Sequence, residues 1–76
     1  MTELGLYLTK KSVNKAEISR RTGISKARLT QLSNNKSTKL TVDELYKIAL
    51  SINVDPCELL SALGKHISLP TPSGQQ

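Results

Sequence analysis

Apolar positions recur along this chain at helical spacing, and four times they bracket a capping residue in the same way. The sets are Val13-Asn14-Ile18, Ile24-Ser25-Leu29, Leu40-Thr41-Leu45 and Val54-Asp55-Leu59. An Asn, Ser, Thr or Asp side chain accepts hydrogen bonds from the free N–H groups of a helix's first turn. The apolar residues on either side staple the incoming chain to that turn. Glu17, Glu44 and Glu58 each stand three residues after a cap, the spacing of a capping box. Pro56 falls in a first turn, where its missing N–H costs nothing. A further helix starts near Thr2 and ends at Lys10 and Lys11, whose charges suit a helix C-terminus. The pattern predicts an all-α chain with helices over 2–11, 15–22, 26–33, 42–52 and 56–63.

The second and third of these helices are joined by almost nothing. Gly23 can enter the left-handed region freely and so stops one helix, and Ile24-Ser25 restarts the next at once. Helices connected this tightly cross steeply, so Asn14 to Leu32 is expected to form a helix-turn-helix. At about 100° per residue, Leu29 and Leu32 mark the inward side of the helix over 26–33. Ala27, Thr30, Gln31 and Asn34 gather on the opposite side, with Lys26 at its edge. Two amides, a hydroxyl and a methyl suit the base edges of a major groove better than they suit a solvated face, which usually carries Glu and Lys.

Charge sharpens this reading. Residues 1–39 hold nine Lys or Arg against two Glu, while residues 40–76 hold two Lys against four acidic residues. A basic first half beside an acidic second half implies one face for a polyanion and another for something else. Lys15, in a helix first turn, can grip a phosphate together with free backbone N–H groups. The caps Asn14 and Ser25 flank the same elements, and Asn34, Lys36 and Lys39 follow the presumed reading helix. Arg28 lies on its flank, placed either to touch the DNA backbone or to pair with a carboxylate. Arg20 and Arg21 read as plain solvated charge.

With 76 residues, one Cys and one His, the chain offers little to an enzyme. No metal-ligand set or set of paired carboxylates stands out, and no cofactor or small-molecule site is expected. Cys57 has no partner for an internal disulfide and is expected to be a buried structural cysteine in a reducing compartment. No apolar run reaches the roughly 20 residues of a membrane span, and Met1-Thr2-Glu3, with no basic region before an apolar run, is not expected to begin a secretory signal. Asn35 is expected as a left-handed helix stop. Beyond Gly64 the segment KHISLPTPSGQQ reads as a flexible tail over 65–76 following a single domain over 1–64.

On Val13-Asn14-Lys15-Ala16-Glu17-Ile18, Thr22-Gly23-Ile24-Ser25, Leu29, Gln31-Leu32, Asn34 and Val54-Asp55-Pro56-Cys57-Glu58-Leu59-Leu60, the chain resembles the Cro/CI-like, XRE-type helix-turn-helix family. The resemblance covers roughly residues 4–64 and implies a compact, five-helix, lambda-repressor-like DNA-binding domain. It places base reading on Lys26, Ala27, Thr30 and Gln31, and phosphate contact on Lys15 and Asn34 with basic loop residues nearby. Ser19 replaces the usual Ala of a tight helix crossing, and Asn35 replaces a Gly. Ser33 stands where relatives carry a Glu paired with a first-helix Arg; here that position is Leu8, so the ion pair is expected to be absent.

Relatives commonly dimerise through their last helices. The resemblance therefore implies a homodimer on a two-half-site operator, with Leu50, Cys57, Ala62 and Leu63 as the candidate contact, joined by Ile67 and Leu69 if the tail orders. The expected role is a cytoplasmic, bacterial or phage-encoded repressor of transcription on double-stranded DNA. Alternatives are an antitoxin whose acidic half binds a toxin, and a protein-interaction module that has lost DNA binding.

Overall fold

A computed structural model describes residues 1–65 and 67–70 of the chain, so His66 and residues 71–76, part of the expected tail, lie outside the described residues. Five helices carry the fold: α1 (Glu3–Lys10), α2 (Lys15–Thr22), α3 (Lys26–Asn34), α4 (Val42–Ser51) and α5 (Pro56–Gly64). Each expected boundary lies within one residue of the observed one. All four expected caps are made, by Asn14 to the N–H of Ala16, Ser25 to Arg28, Thr41 to Glu44 and Asp55 to Cys57. Thr2 caps α1 in the same manner. The apolar half of each staple holds as well. Ile18, Leu29, Leu45 and Leu59 are buried, and Val13, Ile24, Leu40 and Val54 pack against them from the rim.

Capping boxes are rarer than the glutamate spacing predicted. Only Glu44 reaches back to its cap, completing the box with Thr41. Glu17 turns instead to Arg20 and Arg21, so those two arginines are ion-paired rather than simply solvated. Glu58 accepts a long 3.5 Å hydrogen bond from the Tyr7 hydroxyl, tying α5 to α1. For Glu17 the charged guanidinium groups outcompete the cap's own N–H.

The helices close into a ring. α1 packs on α3 and α5, α5 on α4, α4 on α2, and α2 on α3. Inside lies a wholly aliphatic core of Leu4, Leu8, Ile18, Leu29, Leu32, Leu45, Ile48, Ala49 and Leu59. α1 passes close to α3, where a Cβ on Gly5 would collide with the carbonyl oxygen of Ser33. Ser33 is itself buried, and its hydroxyl has no protein partner among the described residues. Leu8, at the first-helix position matching Ser33, is buried in the core.

Turn chemistry differs from expectation at Asn35. Gly23 is left-handed at φ 81°, as the elbow requires. Asn35, however, is extended at φ −108°. Its side-chain oxygen accepts from the N–H and hydroxyl of Ser37, so the residue organises the following loop as an Asx turn instead of reversing the backbone. Asn53 (φ 59°) takes a left-handed conformation between α4 and α5, and Ser12 (φ 56°) does so between α1 and α2. Cys57 also departs from expectation, being exposed. It lies two residues from the buried Leu59, a rotation of about 200° that carries its thiol to the opposite side of α5.

Candidate nucleic-acid interface

The reading face of α3 is built by subtraction. Leu29 and Leu32 are 0% and 3% exposed, and Ser33 joins them on the inward side. Lys26, Ala27, Thr30, Gln31 and Asn34 are all exposed. The same face therefore emerges in three dimensions as on the helical wheel. Ser33 widens the buried arc by a residue that polarity alone would place outside; the close pass of Gly5 is what covers it.

The orientation of α3 is set by packing on two sides and a polar brace on a third. It packs on α1 and α2 but not on α4. Arg28 spans the gap to α4 with a side chain that is two-thirds covered. Its Nε donates to Glu44 Oε2 at 2.9 Å and its Nη2 to Glu44 Oε1 at 3.1 Å. Nη2 also donates to the carbonyl of Lys39 at 2.9 Å, which anchors the loop between α3 and α4. The Arg28 hydrogen bonds, reinforced by the N–H and hydroxyl of Thr41 and opposed by partial burial, hold the Glu44 carboxylate at a pKa of about 2. Of the two roles the sequence left open for Arg28, the structure contains the carboxylate pair.

Donors suited to phosphates frame the exposed face. Lys15 and Asn34, at the start of α2 and the end of α3, border one shallow depression of about 260 Å³ that Ser12 and Ser33 also line. Asn14 uses its Oδ1 for the cap, leaving its amide nitrogen to donate. Ser25 accepts through Oγ from the N–H of Arg28, leaving its hydroxyl hydrogen to donate. Lys36 and Lys39 are exposed on the loop shaped by Asn35. None of Lys15, Lys26, Lys36 and Lys39 has a carboxylate partner among the described residues, unlike Arg20, Arg21 and Arg28.

The six residues expected at a dimer contact are spread over α4, α5 and the segment after α5. Leu50 borders a depression with Arg21 and Lys47 on the α2–α4 side. Ala62 lies with Leu6, Tyr7 and Lys10 between α1 and α5. Leu63 and Ile67 line an apolar groove with Leu4, Leu6 and Leu40, and Leu63 is partly committed to the core. Leu50, Cys57, Ile67 and Leu69 are exposed. Val42, Tyr46 and Leu60, not among the six, are 80%, 54% and 59% exposed. With Leu50, the first two make an apolar stripe at four-residue intervals along α4, a signal that was present in the sequence.

Five helices, a glycine elbow and an outward polar face on α3 define a helix-turn-helix domain. Consistent with this, the family model of the Cro/C1-type HTH DNA-binding domain matches residues 3–63, and the chain belongs to that family. No curated protein and no solved structure gives a significant match. The chain is thus a DNA-binding regulator in the broad sense of its family. No helix among the described residues is long and apolar enough to cross a membrane, and no group of His, Cys, Asp or Glu among them is arranged to hold a metal ion.

Proposed function

We propose that this protein is a sequence-specific repressor of transcription that binds a two-half-site duplex operator as a homodimer and lays α3 in the major groove of each half-site. The observation that carries this reading is the exposed set Lys26, Ala27, Thr30 and Gln31 on a helix whose other side is locked into the core. Gln31 is placed to bond adenine bidentately, the methyls of Ala27 and Thr30 to meet thymine, and Lys26 to meet guanine or a phosphate. Lys15, Asn34, Asn14, Ser25, Lys36 and Lys39 hold the sugar-phosphate strands on either side. Arg28 serves differently, by bracing α3 against α4. We place the contact between copies on the exposed apolar side chains of α4 and α5: Tyr46, Leu50, Cys57 and Leu60. A dimer seated over an operator excludes polymerase from that duplex, which makes repression in the cytoplasm the expected outcome.

Enrichment of random duplex DNA on the purified protein should return two inverted copies of one motif with centres about 10–11 base pairs apart. On that duplex, Lys15→Ala should weaken binding to cognate and scrambled sequences alike and flatten the log–log salt slope by about 0.9. Gln31→Ala should instead relax preference at particular base pairs, by about 1–3 kcal/mol. Equal losses on cognate and scrambled duplexes for both variants would refute the assignment of reading and gripping to different residues.

A further inference from the structure

The hydroxyl of Thr2 serves two helices at once. As N-cap of α1 it accepts from the N–H of Gly5 at 3.1 Å, and it donates to the carbonyl of Leu32 at 2.6 Å. The backbone N–H of Thr2 donates to the carbonyl of Ser33 at 2.8 Å. A hydroxyl has one hydrogen to give and two lone pairs to receive, so the two side-chain bonds coexist. Leu32 and Ser33 belong to the last turn of α3, whose carbonyls have no donors within the helix. Two of those carbonyls are therefore satisfied by one residue some 30 positions upstream.

The surroundings leave little slack for a substitute. Gly5 presses against the Ser33 carbonyl with no room for a Cβ, which fixes the distance between α1 and α3. The other brace on α3, Arg28, acts near the N-terminal end of that helix, just past the Ser25 cap. Gln31 and Asn34 sit at the opposite end, beside the carbonyls that Thr2 holds.

Building on the proposed role of α3 in reading bases, we propose that Thr2 is a positioning residue for the reading helix: its hydroxyl clamps the last turn of α3 and so sets where Gln31 and Asn34 meet the duplex. Two substitutions separate this clamp from ordinary capping. Thr2→Ser keeps both the acceptor and the donor. Thr2→Asp keeps an excellent cap for α1 but has no hydrogen for the Leu32 carbonyl. The added negative charge weakens binding to any duplex, so the informative quantity is the ratio of affinities for the enriched duplex and for a scrambled duplex of equal composition.

Thr2→Asp should lower that ratio about three- to tenfold, the worth of one hydrogen bond, while Thr2→Ser stays within about twofold of the parent. Amide hydrogen exchange, read by NMR on the free proteins, should quicken at Asn34 and Asn35 in Thr2→Asp and not in Thr2→Ser. Circular-dichroism melts establish that each variant is folded at the assay temperature. An unchanged ratio in Thr2→Asp overturns the proposal, as does equal damage in Thr2→Ser. If the parent itself does not discriminate between the duplexes, base reading by α3 fails. The exchange data then decide the clamp alone, and unchanged protection at Asn34 and Asn35 overturns it.

Discussion

Replacing Glu44 by glutamine isolates the side-chain bridge from Arg28 of α3 to Glu44 of α4. Glutamine can still serve as the third residue of the Thr41 capping box, so what is lost is the charge and one of the two oxygens facing Arg28. The Glu44 side chain is 18% exposed and that of Arg28 is 34% exposed, so water can replace only part of the lost contact. Hydrogen bonds to a charged partner are worth about 1.5–3 kcal/mol, and partial solvent access reduces the expected loss on substituting Glu44 to about 1–2 kcal/mol. For a domain of this size that lowers the melting temperature by about 5–15 °C. The effect has a definite pH signature. Because folding depresses the Glu44 pKa from 4.5 to about 2, its contribution is complete above pH 4.5 and fades as pH falls through about 2. Urea titrations of the parent and Glu44→Gln at pH 7 and near pH 2 should therefore show a gap that closes on acidification. Equal stability at pH 7, or a gap that persists undiminished at the acidic end, would refute the bridge as drawn.

The two structurally constrained glycines should respond differently. Gly23→Ala meets no atom within 4 Å and suffers only from its positive φ, so thermal melts should register a loss of about 1–2 kcal/mol. Gly5→Ala must push α1 away from the Ser33 carbonyl; calorimetry should find it more damaging, by about 1–3 kcal/mol beyond ordinary helix propensity. Ser33→Ala removes a buried hydroxyl that has no protein partner among the described residues, so chemical denaturation should show stability unchanged or raised by about 1 kcal/mol. A clear fall would mean that the hydroxyl is satisfied after all.

What could be read from the sequence was what is local in it. A cap and its staple span five or six residues, and all four such sets formed as expected because their partners are near neighbours along the chain. The outward face of α3 was equally legible, since periodicity and two leucines suffice to orient a helix. The braces on that helix were not. Thr2 finds Leu32 across 30 residues and Arg28 finds Glu44 across 16, and no spacing rule links such pairs. Glu17 and Glu58 show the converse failure: correct box spacing made no box, and the carboxylate accepts from a nearby arginine in one case and a distant tyrosine in the other. Cys57 was misplaced for a third reason. Cysteine's general preference for interiors gave way to its angular position on α5, which the position of Leu59 already determined.

The all-aliphatic interior has a practical corollary for spectroscopy. With no tryptophan in the chain, intrinsic emission comes from Tyr7 and Tyr46, and these occupy unlike surroundings. Tyr7 sits at the seam of α1 and α5, bonded to Glu58 and lying 5.5 Å beneath the Lys11 ammonium, so its fluorescence is a built-in gauge of whether the ring of helices has closed. Tyr46, more than half in water, supplies the internal reference signal against which that closure can be timed.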